Sequence, residues 1–324
     1  MSVRWAFTTP TGAAGAIAAI ALAADDPRDL DDALESLIGA AIAVGGVRVR
    51  PIAGVDRGVI ARWSPTRAEL MPHAGRAVAT ELASKLRDAL GDPRDLSARE
   101  QFPEAVNDLE ARMLAALAHA ASPRAIDLLL DQPRRWREHP DACDVADTGA
   151  LAHLLSPPLV VAVGPPNVGK SSLLNALAGR SVALAADEPG TTRDHVGALL
   201  ELDGLVVRYA DTPGVSPDAL AHDADRQAHA IARSLIAGAD LVLSCFDAAT
   251  APLEPTGSVP RLLVATRADL GTPPVPADVA TSARTSAGVP ELARAVRRRL
   301  VPDAALADPH PWRFWDSDVN LAHA

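Results

Sequence analysis

Eight consecutive residues, Gly164-Pro165-Pro166-Asn167-Val168-Gly169-Lys170-Ser171, fit the spacing G-x-x-x-x-G-K-[ST]. Glycines at the two ends let a backbone wrap closely around phosphate, and the amides of such a loop with the helix that follows present positive potential to an anion. In this reading Asn167, Val168, Gly169, Lys170, Ser171 and Ser172 are the phosphate contacts. Lys170 reaches the β- and γ-phosphates and the Ser171 hydroxyl binds Mg²⁺. About forty residues on, Asp211-Thr212-Pro213-Gly214 closes an apolar run. It places the Asp211 carboxylate in the outer shell of that metal and offers the Gly214 amide to a γ-phosphate. Between the two lies the polar stretch Glu188-Pro189-Gly190-Thr191-Thr192-Arg193-Asp194. A threonine hydroxyl there completes the metal shell, with Thr192 favoured over Thr191.

The base is chosen elsewhere. Thr266-Arg267-Ala268-Asp269 has the order of an N/T-K-x-D sequence. The Asp269 carboxylate accepts from guanine N1–H and the exocyclic amine, a pair that adenine does not present. Arg267 stands where lysine is usual and packs its stem and guanidinium plane along the base. Thr266 replaces the commoner asparagine and loses hydrogen bonds, so the two departures together predict weaker guanine affinity. Ser282-Ala283 matches a last guanine-contacting loop. Order and spacing favour GTP over ATP.

These residues need a scaffold that brings loops to one edge. Leu159–Val163 reads as a continuous apolar strand, followed by a helix over Ser171–Leu177. Paired strands follow at Ala198–Leu202 and Val206–Ala210, then a helix near Asp223–Ala237. Strands at Asp240–Phe246 and Arg261–Ala265 precede a helix over Val289–Leu300. Such alternation gives a mostly parallel sheet covered on both faces, with ligands at the carboxyl ends of its strands. The predicted fold class is therefore α/β: a phosphate-loop GTPase domain at 157–302, preceded by a small α/β domain at 1–92. A helical segment and linker at 93–156 joins them, and a tail occupies 303–324. In the first domain, short apolar runs (Ala16–Leu22, Val47–Val49, Val59–Ile60) precede a helical stretch Gly75–Leu90. In the second segment, Ala105–Ala121 carries Leu and Met at helical spacing, and Pro123–Leu130 starts another helix. Ser156-Pro157-Pro158 breaks the pattern.

Composition narrows the rest. The chain has 324 residues and a formal net charge of −10, which argues against a surface built mainly to grip nucleic acid. Its aromatic content is 3%, so its cores rely on Ala, Leu and Val. Cys143 and Cys245 are too few for a disulfide framework or a zinc site, which points to a reducing, cytoplasmic setting. The apolar run Ala13–Ala24 is too short to span a bilayer and is closed by Asp25 and Asp26; a buried strand or helix is expected, and no membrane role. Lysine occurs only at Lys85 and Lys170, so its retention in the loop is informative. Arg134, Arg135 and Arg137 around Trp136 read as a solvated helix face rather than an RNA contact.

The set GPPNVGKSSLLNALAG, EPGTTRD, DTPG, TRAD and SARTSAGVPEL resembles the TrmE–Era–EngA group of GTPases and, within it, the MnmE (TrmE) family of tRNA-modification GTPases. PTGAAGAIAAIAL, ELMPHAGRAVATEL and FPEAVNDLEARMLAAL are similar to that family's early strand, its His-Gly helix entry and its first central helix. The resemblance implies GTP hydrolysis with Mg²⁺, a K⁺ ion bound by Asn167, and GTP-dependent pairing of two GTPase domains. The catalytic set it implies is Lys170, Asn167, Thr192 and Gly214. It also implies tRNA and a flavoprotein of the MnmG type as partners, and a folate derivative in the first domain, for which His73 is the candidate contact. The chain departs from the family in several places. Val215 stands where Ras-like enzymes have a water-orienting glutamine, so intrinsic hydrolysis should be slow. Asp223 or Asp225 is the poor match to the family's water-orienting acid. Few residues follow Leu300, and the tail reads Pro311-Trp312-Arg313-Phe314-Trp315-Asp316 instead of a cysteine motif; its apolar residues are expected to dock on the body. The alternatives are an Era- or EngA-like GTPase of ribosome assembly and a GTP-gated interaction module with little turnover.

Overall fold

The structure is a computed structural model that describes residues 3–9, 16–140, 148–179, 198–212, 233–253 and 258–315. The first unit is a five-stranded antiparallel sheet of β1 (Arg4–Phe7), β2 (Ile20–Ala23), β3 (Val47–Ile52), β4 (Asp56–Ser64) and β5 (Arg67–Met71), in the order β1-β2-β5-β4-β3. Helices α1 (Pro27–Ile38) and α2 (Arg76–Leu90) cover one face. Leu30, Leu34, Leu82 and Leu86 join Trp5, Ile20, Leu22, Ile60 and Leu70 in its core. The expected apolar run at Ala16–Leu22 becomes β2, buried at all four positions because Leu96 packs on its other side. Helix α1 escaped the periodic reading, since its acidic residues mask a stripe at Leu30, Ala33, Leu34, Leu37 and Ile38. Its start is nonetheless marked: the Asp26 carboxylate accepts from Arg28 N at 2.8 Å, with Pro27 at the first turn.

Helices α3 (Ala98–Gln101), α4 (Asp108–His119), α5 (Arg124–Glu138) and α6 (Thr148–Ala152) follow. The second sheet contains β6 (Leu159–Val163), β7 (Ala198–Leu202), β8 (Leu205–Asp211), β9 (Leu241–Phe246), β10 (Arg261–Ala265) and β11 (Val279–Ala280), in the order β11-β10-β9-β6-β8-β7. All neighbours are parallel except β7, which pairs antiparallel with β8 as an edge hairpin. Helix α7 (Lys170–Ala178) follows β6, and α8 (Val289–Leu300) and α9 (Asp303–Ala307) follow β11. The chain steps from β6 to β8 on one side and then to β9 on the other. The strand order thus reverses beside β6, where open sheets of this kind form their crevice. Of the helix expected near Asp223–Ala237, only residues 233–237 lie among the described ones, and they are helical. No helix among the described residues is long and apolar enough to cross a membrane.

Helices α4 to α6 do not stand apart from the second sheet. Met113, Ala116, Ala125, Leu129, Leu151 and Leu155 share one hydrophobic cluster with Val160, Leu200, Tyr209 and Leu243. The hairpin is pinned from the same side: Arg124 Nη2 lies 3.1 Å from Asp203 Oδ1, and Val206 N donates to Ser122 Oγ at 3.0 Å. The tail docks on the body. Trp312 is wholly buried, and its backbone N donates to Gln132 Oε1 at 2.7 Å. Trp315 packs on Trp136 at 5.3 Å between centroids, and the Arg112 guanidinium sits 5.2 Å over the Trp315 ring. The basic run on α5 is held internally: Arg134 and Arg135 both bind the Asp131 carboxylate at 2.7 Å, and it is held at a pKa of about 2 by those hydrogen bonds.

Trp312→Ala removes a fully enclosed side chain from this junction. It is expected to lower unfolding stability by about 3–5 kcal/mol in a urea titration, with Trp136 fluorescence shifting to the solvent-exposed range.

Candidate functional site

The phosphate loop is shaped by two glycines and one asparagine. Gly164 has φ 159, and a Cβ there would stand 2.4 Å from the Cys245 carbonyl oxygen. Gly169 has φ 103 and Asn167 φ 58, conformations that glycine and asparagine tolerate and most other residues do not. The Asn167 side chain is exposed and makes no hydrogen bond among the described residues. Pro165 and Pro166 carry no N–H, so the amide donors of the loop run from Asn167 onward into the first turn of α7. Lys170 is buried and donates from Nζ to the carbonyls of Gly164 (3.2 Å) and Pro165 (3.1 Å). Burial lowers its pKa, opposed by the Asp211 carboxylate. Cys245, beneath the loop, is pushed up to about 12 by burial and is not a nucleophile at neutral pH.

Ser171 and Asp211 meet although forty residues separate them: Ser171 Oγ donates to Asp211 Oδ2 at 2.6 Å. Asp211 Oδ1 is buried and has no hydrogen-bond partner among the described residues. A hydroxyl, a carboxylate oxygen and a second carboxylate oxygen without a donor make a hard-oxygen set, which suits Mg²⁺. Thr212 anchors this end of β8 by donating from Oγ1 to the Ala162 carbonyl at 2.8 Å.

The second group gathers on the other side of Gly169. Thr266 is buried and donates from Oγ1 to the Val168 carbonyl, so threonine keeps a tie between β10 and the phosphate loop. Arg267, at φ 52, lays its stem along Gly169: its Cγ and Nε lie 3.7 and 3.6 Å from where a Cβ of that glycine would stand. Asp269 Oδ1 accepts from Ser282 Oγ at 2.6 Å and Oδ2 from Arg284 Nε at 2.9 Å. These donors, Ser282 first, hold its carboxyl below the usual range. A cavity of about 570 Å³ opens between the groups, lined by Gly169, Ser172, Thr266, Arg267, Asp269, Ala283 and Arg284. That volume accommodates a nucleoside. A second hollow, of about 600 Å³ by Arg99, Asn107 and Arg137, has its polar groups spent on backbone: Arg99 on the Ala105 carbonyl, Asn107 on Glu110 N, Arg137 on the Pro133 carbonyl.

The structure therefore brings together Asn167, Val168, Gly169, Lys170, Ser171, Ser172 and Asp211 at one end, and Thr266, Arg267, Asp269, Ser282 and Ala283 at the other. Thr191, Thr192, Gly214, Val215, Asp223, Asp225 and Cys143 lie outside the described residues. His73 stands apart from both groups: it is exposed, with Nδ1 3.0 Å from Asp56 Oδ2. Arg284 and Leu270 line the cavity without having been singled out; adjacency to Ser282-Ala283 and to Asp269 was the available signal.

A family model described as "50S ribosome-binding GTPase" matches residues 159–266. A tRNA modification GTPase MnmE of Acidiphilium cryptum is 33% identical over 309 residues, covering 76% of this chain and 69% of that protein. Its counterpart in Parasynechococcus marenigrum is 35% identical over 338 aligned residues, covering 90% and 73%. Among solved structures, the FeoB G-domain of Methanococcus jannaschii is 25% identical with a TM-score of 0.34, covering 44% of this chain and 97% of that one.

Lys170→Met replaces a desolvated cation by an apolar chain of similar length. Pyrophosphate is expected to raise the melting temperature of the wild type by a few degrees and to leave that of the variant unchanged, as read by a thermal melt with and without it. Because the folded-state pKa of Lys170 is depressed, the unfolded chain holds the proton more tightly. The wild type therefore gains stability relative to the variant as pH rises towards 10.5.

Proposed function

The chain belongs to the family of tRNA modification GTPases called MnmE, and on that premise we propose that it binds GTP with Mg²⁺ at the crevice beside β6 and hydrolyses it in the service of tRNA modification. The observation that carries this is the Ser171–Asp211 contact beside a buried Lys170, with a nucleoside-sized cavity next to it that runs from Gly169 and Ser172 of the same loop to the Ser282-oriented Asp269 carboxylate. Asn167, Val168, Gly169 and Lys170 direct their amides at the phosphates, and Lys170 exchanges two carbonyl acceptors for phosphate oxygens. Ser171 supplies a direct metal ligand and Asp211 an outer-shell acceptor, with Thr192 completing the shell and Gly214 presenting its amide to the γ-phosphate. A metal held by these oxygens would supply charge neutralisation to the phosphates. Asp269 reads the guanine edge, and Arg267 with Ser282 and Ala283 encloses the base.

Hydrolysis in this reading rests on electrostatics rather than on a glutamine, since Val215 follows Gly214. Asn167 would hold a K⁺ ion, and a cation there would offset the charge that develops on the leaving group. The same contact promotes pairing of two GTPase domains. tRNA and a flavoprotein of the MnmG type are the expected partners, in a cytoplasmic setting. Binding of a folate derivative by the first unit has no support from His73, which turns its ring to Asp56. The description of the matched family model keeps a ribosome-binding role as the second reading. Capture from lysate separates the two: flavoprotein and tRNA for the first, ribosomal subunits for the second.

GTP turnover measured in matched KCl and NaCl is expected to be faster in potassium, and Asn167→Ala is expected to abolish that difference. Nucleotide binding without turnover in either salt would leave a GTP-gated scaffold instead of an enzyme. Asp269→Asn turns a carboxylate acceptor into an amide that can donate to the 2-oxo group of xanthine. GDP affinity is expected to fall at least about tenfold while XDP becomes the tighter ligand; unchanged GDP binding would remove Asp269 from base recognition.

A further inference from the structure

Asp247 directly follows β9 and carries no role in the preceding account. Its side chain is 14% exposed, and its Oδ1 is fixed by its own turn, accepting from Ala249 N at 3.0 Å and Thr250 Oγ1 at 2.9 Å. That leaves Oδ2, which lies 3.6 Å from Arg267 Nη1. Asp247 is not among the residues that line the cavity, whereas its partner Arg267 is.

We propose that Asp247 is the positioning residue for Arg267, holding the guanidinium away from the ligand so that the arginine stem forms the wall of the base site. This rests on the guanine-nucleotide reading and deepens it. The physical need is specific to arginine. A guanidinium is longer than an ammonium-bearing stem, permanently charged, and has five donors in a rigid plane. At position 267 two anions compete for it: the phosphates across Gly169, and the Asp269 carboxylate two residues on. Drawn to either, it would cross the cavity and occupy the volume of the base or the acceptor that reads it. The pre-oriented Asp247 oxygen offers a third anchor on the far side. With the head held there, Cγ and Nε rest against Gly169, as observed. The wall and the phosphate loop become one surface.

The test uses the whole chain and two diphosphates, GDP and IDP, by titration calorimetry. Hypoxanthine lacks the 2-amino group, so IDP reports packing on Arg267 with one hydrogen bond to Asp269 fewer. Asp247→Asn is expected to weaken both ligands by the same factor, about three- to fivefold. Arg267→Ala is expected to weaken them at least as much, and the double variant to be no weaker than Arg267→Ala alone. In Asp247→Asn, GTP turnover at saturating substrate should not change while the GTP concentration needed to reach half of it rises by the same factor as the GDP affinity falls. Thr250→Ala, which loosens the same turn but keeps Oδ2, should hold both affinities within about twofold. Wild-type binding of GDP with Asp247→Asn indistinguishable from it, or effects of the two substitutions that simply add, would overturn this assignment alone. A wild type that binds no GDP would overturn the nucleotide reading and the assignment with it.

Discussion

One short bond holds the two halves of the site together. The Thr266 hydroxyl donates to the Val168 carbonyl, and both groups are buried. The Phe246 carbonyl accepts the Thr266 amide at 2.7 Å and also lies 3.0 Å from the hydroxyl, so the hydroxyl sits between that carbonyl and the nearer one of the phosphate loop. Without that donor the loop would bury an unpaired carbonyl, a cost of about 1–3 kcal/mol. The tie also sets where Gly169 lies, and hence where the stem of Arg267 rests. A threonine was expected to lose hydrogen bonds relative to asparagine, and an amide does carry a second donor that a hydroxyl lacks. The bond to the loop survives the exchange because the carbonyl comes close enough for the shorter side chain.

The distribution of the two basic residue types follows the same logic. The chain places arginine nearly everywhere, yet Lys170 sits in the loop. The acceptors there are convergent carbonyls in a narrow, desolvated space, which a compact ammonium can satisfy and a planar fork cannot. Arg297, by contrast, is buried where two carboxylates can be met in its plane: Asp203 Oδ2 at 2.9 Å, and Asp303. Asp203 belongs to the β7–β8 turn and also receives Arg124 from α5. A single acidic turn thus joins the edge hairpin, the last long helix and the helices that precede the sheet.

Much of this was legible in the residues. Strands of continuous Val, Leu and Ala announced β6 and β10 with their ends correct, and helix α8 announced itself through apolar spacing bounded by glycine. The phosphate loop was legible because its chemistry demands particular residues at fixed spacing. Helix α1 was not: acidic residues outnumber the signal on its outer face, and only its cap and proline betray it. Strands β1 and β5 are short and alternate with Arg and Glu, which leaves little periodic contrast. Asp247 was invisible for another reason. Its role depends on a partner twenty residues away that only sheet pairing of β9 with β10 brings alongside. Contacts of that kind are set by register, which local pattern does not encode.

The aromatic tail answers a packing problem created by composition. A core made mainly of Ala, Leu and Val has small side chains, and where helices meet a sheet at an angle such residues leave volume unfilled. Three of the chain's five tryptophans, Trp136, Trp312 and Trp315, converge at the junction of α4 and α5. Interiors tolerate voids poorly, because lost dispersion contacts are not replaced by water. Trp312 fills that space, and it is locked in register by the buried Gln132 amide, whose oxygen takes the Trp312 N–H and whose nitrogen donates to the Leu128 carbonyl at 2.9 Å. A polar side chain at the centre of the junction selects one docking register for the tail, because any slip would leave the buried amide oxygen of Gln132 without its donor while the nitrogen stays bound within α5. The tail and the helices that carry the loop-bearing sheet are therefore one packed body, and the position of the phosphate loop depends on residues that never approach a ligand.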